Sequence, residues 1–463
     1  MNQVRTEMPD AESLVAAWAA RISLSEIPSA ALNVAKTCIG DGLGVMLAGA
    51  CSPVFAQCAA LPRPPGNCIV IDGSSSTDAA TAALLNAVAC HALDFDDTCY
   101  AGIVHGTATV LPAVLAVAQE VGASGEQLVE AFVAGVETVY ALGLALTDSL
   151  YERGFWATAT LGVVGAAAGA AKLLGLNAEG VAHAIRLAAN VPVGLRATHG
   201  SSGKPYLCGV AAKLGVESAY AAKAGIQGQA GTFERRRGFA FTHNAGVLRR
   251  EALDELGTSY RLLDPGIAFK LRPLCSATQA AIDATIALRS QEGFLAEDVE
   301  SVTCRGTSLV VTSLPYHAPA TPNEAQFSMN FAIACTLLHG DVRLDHLTSR
   351  TVADASLMHL MQRVQLHEDT TLVRPEAALM CPEAASVEIE LRDGRRLQRT
   401  VMAATGMPQQ PATEQQLQSK FMDCAMRVLG ALEAGELWNR IRRIEEVSKA
   451  RLLFDGLLPT GRT

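Results

Sequence analysis

Residues 124–139 read SGEQLVEAFVAGVETV, and this stretch decides the fold. Ser124 and Gln127 stand at capping-box spacing, so each side chain can accept a backbone N–H that a first helical turn leaves free. Leu128, Phe132, Val136 and Val139 then recur at helical spacing. Outward from there, residues 158–174 predict a further helix that stops near Gly175. Asn177 is placed to cap the next one, which runs through Val181 and Ile185. Helices joined by such short connections mark a packed helical body, and this texture runs from residue 10 to about 265.

The pattern changes after Pro265. Residues 299–314 are rich in valine and threonine and poor in helix formers. Val387, Ile389 and Leu391 alternate with charged residues, Asp393-Gly394 follows, and then come Leu397 and Val401, which predicts a hairpin with an Asp-Gly turn. Helical character returns over residues 413–432. The expected architecture is therefore mainly α. A large all-helical domain is built from residues 1–265 and 405–463, and a smaller α+β unit from residues 266–404.

Bulk composition agrees with a core-rich chain. Of 463 residues, 49% are hydrophobic and only 18% charged, and the length is more than one ordinary core fills. Aromatics are scarce at 5%, and the abundant alanine and glycine let helices approach closely. A net charge of −9 speaks against a nucleic-acid partner. The one basic cluster, Arg235-Arg236-Arg237, reads first as a solvated loop and second as a clamp for carboxylates. Twelve cysteines without a Cys-x-x-Cys pair predict no structural zinc and, in a chain with no secretory leader in its polar first residues, reduced thiols in the cytoplasm. The uncharged run 158–171 is too short to span a bilayer, so no membrane partner is expected.

Three segments carry the candidate chemistry. In residues 91–98, His-Ala-Leu-Asp-Phe-Asp-Asp-Thr, three carboxylates crowd an apolar setting. They read either as a helix terminus binding backbone amides or as a cavity wall where one acid moves protons. His105 follows on a small-residue loop, near enough in sequence to shuttle protons with that cluster. Residues 198–206, Thr-His-Gly-Ser-Ser-Gly-Lys-Pro-Tyr, superficially match a phosphate loop. However, Pro205 stands where Ser or Thr must follow the lysine, so nucleotide binding is excluded and Lys204 reads as a carboxylate partner or a surface lysine. No His-Glu-x-x-His, Gly-x-Ser-x-Gly or Gly-x-Gly-x-x-Gly motif is present, and neither metal nor organic cofactor is expected.

In their order and spacing these segments resemble the MmgE/PrpD family over roughly residues 10–450. The likeness extends through Ala123 to Gly143, Thr160-Leu161-Gly162, Ala325-Gln326-Phe327-Ser328, Gly340-Asp341-Val342 and Gly406-Met407-Pro408. The resemblance implies a helical domain made from both chain ends, a smaller α+β lid, a site between them and a homodimer. It also implies cofactor-independent dehydratase, decarboxylase or epimerase chemistry on small organic acids. Residue by residue it puts Asp94, Thr98, His105 and Lys204 in the site.

The chain departs from the family pattern at three histidines. Trp156 follows Phe155 where the family has Phe-His, Tyr206-Leu207 follow Lys204-Pro205 where it has Leu-His, and Gln279 stands after Cys275 where a lid histidine is usual. Glutamine can hydrogen-bond but cannot transfer a proton, and Trp offers only an N–H. A divergent pocket is therefore expected, more apolar and less positive. Asp94 or His105 serves as acid/base, Lys204 as anchor, Thr98 as positioner and Tyr206 as a second acid, while Trp156, Cys275, Gln279 and His199 contact the substrate. His199 and His243 are candidates to compensate for the missing histidines, although each reads first as structural. The expected activity is a lyase. The alternatives are an isomerase, epimerase or cyclase acting on a larger, less charged metabolite, and a non-catalytic paralogue.

Overall fold

The computed structural model describes residues 9–191, 194–374 and 381–458. Most of the N-terminal segment read as lacking a leader lies outside them. The capping box forms as the sequence predicts. Ser124 Oγ accepts from the Gln127 N–H at 3.2 Å, Gln127 Oε1 accepts from the Ser124 N–H at 2.9 Å, and the helix runs Gly125–Glu152. Helix Ala157–Leu173 ends before Gly175, whose φ of +70° reverses the chain, and Asn177 Oδ1 caps Ala178–Ala189 by accepting from the Gly180 N–H at 2.9 Å.

Small residues set how closely these helices pack. A Cβ on Gly165 would sit 2.6 Å from the Gly135 carbonyl oxygen, and one on Gly135 would sit 2.8 Å from that of Gly165. Only glycine lets the two backbones touch there. Segment Gly125–Leu146 is long and apolar enough to cross a membrane, yet 89% of its most apolar window is buried among the other helices. Both chain ends contribute to this core. Helix Glu414–Ala425 lays Phe421 against Gly44 of helix Ser29–Gly49, helix Ala431–Arg442 lays Trp438 against Gly40, and buried Lys420 pairs with Asp41 at 2.6 Å. The helix expected over 413–432 is in fact two, broken after Ala425 and restarted at Ala431, because Gly430 takes an extended conformation.

The α+β part centres on a four-stranded sheet in the order Val364–Glu368, Val299–Gly306, Ala385–Leu391, Arg396–Val401. The first pair is parallel and the others antiparallel. Val387, Ile389 and Leu391 face a core shared with helices Gln279–Glu292 and Met329–His339. The Asp393-Gly394 turn forms with Gly394 at φ +87°. Only the first half of residues 299–314 is a strand. The Thr307 hydroxyl accepts from the Val310 N–H and caps a helix Ser308–Ser313, so a local cap overrides the β-branched composition.

One small pairing positions the site. Thr98–Cys99, just past the acid cluster, pairs antiparallel with Ile267–Ala268, at the point where the chain leaves the helical body. That clip sets the loop between helix Ala79–His91 and helix Gly106–Val121 against the start of the sheet-bearing unit.

Candidate active site

Helix Ala79–His91 ends at the acid cluster, and Asp94 follows in the left-handed region at φ +47°, which Asp tolerates better than most residues. This turns its carboxylate toward helix Gly203–Lys223, whose second residue is Lys204. Lys204 Nζ lies 2.5 Å from Asp94 Oδ1. From the other side Lys270 donates to the Asp94 carbonyl at 2.7 Å and reaches Oδ2 at 3.2 Å. All three side chains are at most 5% exposed. Burial pushes the Asp94 carboxyl up, but the two ammonium groups outweigh it and hold it well below the usual carboxylate range. Lys204 also lies over the Phe327 ring, 4.7 Å from its centre.

Beside this trio stands a carboxylate–imidazole network. Asp96 is fully buried, with its Oδ2 2.9 Å from His91 Nδ1 and 3.3 Å from His105 Nδ1. His105 Nδ1 is also 2.8 Å from the Asp97 carbonyl and 3.3 Å from the Thr98 hydroxyl. A carbonyl only accepts, so Nδ1 is the donor in that contact. His91, Asp96 and His105 offer ligand atoms within 4.8 Å of one another, close enough together for a metal ion. Burial, and then Lys204, bring His91 down to about 4, Asp96 opposing, so its ring is neutral at ordinary pH. Asp97, the third acid, points into the body. It accepts from the Thr107 hydroxyl at 2.6 Å, and burial with nearby Asp41 raises it to about 7.

A cavity of about 320 Å³ opens beside these groups, at the seam between the helical body and the sheet-bearing unit. Asp94, Thr98, His105, Lys204, Trp156, His199 and Cys275 all line it. His199 is neutral there. Burial and then Lys204 bring it down to about 3, and its Nδ1 is 2.6 Å from the Arg196 carbonyl, so it adds no positive charge. His243 lies elsewhere, stacked on Phe239.

Two expected contacts do not reach the cavity. Tyr206 is 40% exposed and outside the lining. Two residues along a helix are rotated by about 200°, so with Lys204 facing inward Tyr206 faces out. Gln279 is buried, but its amide is spent on the backbone of residues 272–274. Oε1 accepts from the Arg272 N–H at 3.3 Å and Nε2 donates to the Arg272 carbonyl at 3.2 Å. Cys275 and Ser276, in the sheet-bearing unit, line the cavity instead. Arg235, Arg236 and Arg237 are exposed, away from the cavity, as a solvated loop.

Sequence reasoning named Asp96 only as one of three crowded acids, and missed Lys270, Arg196 and Glu383. The last three line the cavity, and Asp96 stands behind His105. Arg196 stacks its guanidinium 3.8 Å over the Tyr151 ring and, among the described residues, has no carboxylate partner in salt-bridge range. For Lys270 the available signal was a lone cation in the apolar run Ile267-Ala268-Phe269-Lys270-Leu271.

Cis-aconitate decarboxylase of Mus musculus is 26% identical over 457 residues, covering 93% of this chain and 90% of that one. The Homo sapiens protein of the same name is 26% identical, covering 80% of this chain and 78% of that one. The Aspergillus terreus protein of that name is 24% identical, covering 95% and 94%. The MmgE/PrpD N-terminal domain model matches residues 13–247 and the MmgE/PrpD C-terminal domain model matches residues 273–446. With both models matched in order across most of its length, the chain belongs to the MmgE/PrpD family.

Proposed function

We propose that this protein is a lyase of dehydratase or decarboxylase type that needs no organic cofactor or metal and moves protons next to a carboxylate or carbonyl of a small organic acid. The observation that carries the reading is the His105–Asp96 pair. The carboxylate and the Asp97 carbonyl fix the proton on Nδ1, leaving Nε2 as base in a side chain that lines a cation-rich cavity. The similarity to cis-aconitate decarboxylases is consistent with a carboxylic acid substrate.

The roles follow from charge. Asp94 is held ionised by two lysines, so it is a poor proton donor and serves to fix Lys204 and Lys270. Those two cations exceed the one carboxylate they share, and Arg196, with no carboxylate partner among the described residues, adds a further charge. The surplus suits an acid bearing one or two negative charges better than three. The substrate carboxylate rests on these cations while negative charge grows on the adjacent carbon, and the same cations stabilise the enolate as it forms. His105 takes or returns the proton, and Thr98 positions the substrate through its hydroxyl. Residues 266–404 act as a lid on the helical body, and the functional unit is a homodimer.

A second reading draws on the neighbouring cavity of about 600 Å³, which shares Ile103, Tyr151, Arg196 and Thr312 with the first and adds Leu309, Val373 and Pro382. That space favours an isomerase, epimerase or cyclase acting on a larger, less charged metabolite. Chelator-treated protein in heavy water, given cis-aconitate, citrate-like acids and β-keto acids, separates the two. Loss of carbon dioxide or water supports the lyase, and an isomer of unchanged formula supports the second reading. A Lys204→Ala variant as active as the wild type on the acid turned over would remove Lys204 from the anchor role.

A further inference from the structure

A further buried carboxyl lines the same cavity and is absent from every role assigned above. Glu383 lies two residues ahead of strand Ala385–Leu391 and is 7% exposed. Its segment is pinned, since the Thr307 hydroxyl donates to the Pro382 carbonyl at 2.6 Å. Ser276 Oγ donates to one carboxyl oxygen at 2.9 Å, and the Tyr100 hydroxyl meets the other in a short hydrogen bond. Tyr100 belongs to the helical body, two residues after Thr98, whereas Ser276 and Glu383 belong to the sheet-bearing unit. The three side chains therefore meet only across the seam where the cavity lies.

No lysine or arginine among the described residues pairs directly with Glu383, although the cavity holds three cations. Lys270, the nearest in effect, is committed to Asp94. The groups facing Glu383 are Tyr100, Ser276, Lys270 and Asp94, with Cys275 and Tyr151 also within its electrostatic reach. Burial pushes its carboxyl up to about 7, the two hydroxyls and Lys270 opposing and Asp94 assisting, so at neutral pH it is poised between its two forms. Neither hydroxyl partner is a fixed charge, and each can rotate to suit a protonated or an ionised carboxyl.

We propose that Glu383 is the general acid of this site, holding at the lid-side wall the proton that His105 cannot supply while it acts as base. The inference rests on the lyase reading above. In a decarboxylation, the bond between carbon and the departing carboxylate breaks, its electron pair stays on carbon as an enolate, and carbon dioxide leaves. The Glu383 O–H bond then breaks and its proton goes to that carbon. In a dehydration, His105 takes the C–H proton, the electron pair forms the double bond, and the hydroxyl departs as water with the Glu383 proton. Either way Glu383 ends ionised, accepts hydrogen bonds from Tyr100 and Ser276, and regains its proton from solvent.

The test compares wild type, Glu383→Gln and Ser276→Ala on whichever acid of the panel the wild type turns over, across pH. Glu383→Gln should lower kcat by roughly 10²–10⁴-fold with KM within a few-fold, the usual range for a lost general acid. The wild-type profile should fall on its alkaline side near pH 7, and Ser276→Ala, which removes a hydrogen bond to the ionised form, should move that fall to higher pH. This shift keeps the proposal testable if the Gln variant fails to fold. Unchanged kcat in Glu383→Gln, or an unmoved alkaline limb in Ser276→Ala, would overturn the proposal and leave the lyase reading standing. A wild type that turns over none of the acids would sink the lyase reading, and this proposal with it.

Discussion

Lys204 Nζ lies 2.5 Å from Asp94 Oδ1, buried, so the protein itself already ion-pairs the lysine. Its charge is therefore shared between a protein carboxylate and any substrate, and Lys270 on the far oxygen keeps the trio from being neutral. Replacing Asp94 by Asn leaves two buried ammonium groups without their anion. The expected cost is roughly 3–5 kcal/mol of stability, the range for breaking a buried pair. Adding Lys270→Met should recover part of that loss. Urea unfolding of the two single variants and the double variant measures the coupling, and strict additivity would contradict the geometry.

The His105–Asp96 pair makes a sharper prediction. Asn at position 96 removes the carboxylate charge that stabilises the imidazolium formed when His105 takes a proton, while the Asp97 carbonyl still accepts from Nδ1. Asp96→Asn and His105→Gln should each lower kcat by roughly 10²–10⁴-fold, and the double variant should be little worse than either, because the two act as one unit. Multiplicative losses in steady-state kinetics would separate the two residues.

Stability should depend on pH in a defined direction. Asp97, Glu137 and Glu383 are all raised to about 7 by burial first of all. A raised carboxyl binds its proton more tightly folded than unfolded. Its contribution is complete below the ordinary carboxylate range and is lost as pH rises through about 7. Asp94 and Asp96 are lowered, so their contribution is present above the ordinary carboxylate value and is lost as pH falls below it. The melting temperature should peak between those limits, near pH 5–6, and decline by pH 8. A melting temperature that climbs steadily from pH 6 to pH 8 would contradict these assignments.

Close backbone contact carries the helical body. Gly165→Ala puts a Cβ 2.2 Å from Val139 Cγ2 and 2.6 Å from the Gly135 carbonyl oxygen. A loss of about 1–3 kcal/mol is expected from overpacking. A neutral result in thermal unfolding would mean that the two helices separate more easily than their geometry indicates.

How much of this was legible in the sequence depended on the range of the interaction. The caps at Ser124 and Asn177 and the Asp393-Gly394 turn are signals within a few residues, and each formed as read. The polar segments around Asp94, His105 and Lys204 stand out because charge is rare in their surroundings, and the fold does bring them to one cavity. Lys270 and Glu383 were not legible, because they reach their partners Asp94 and Tyr100 across 176 and 283 residues of chain. Tyr206 was misread because helical rotation, not nearness in sequence, decides which way a side chain faces. Gln279 was misread because its amide serves the turn before its own helix. Both errors predict quiet variants. Tyr206→Phe should leave kcat within about twofold, and Gln279→Ala should cost about 1–3 kcal/mol of stability for the unsatisfied turn while leaving KM unchanged.

The most direct test of the central claim is single-turnover mass spectrometry of chelator-treated protein with cis-aconitate and the other acids in heavy water. The account predicts loss of carbon dioxide or water from an acid. A decarboxylated product should carry one deuterium at the carbon that loses the carboxylate, and the His105→Gln variant should be silent on any acid that the wild type dehydrates. Dehydration that persists in His105→Gln, or turnover that requires an added metal or organic cofactor, would contradict it.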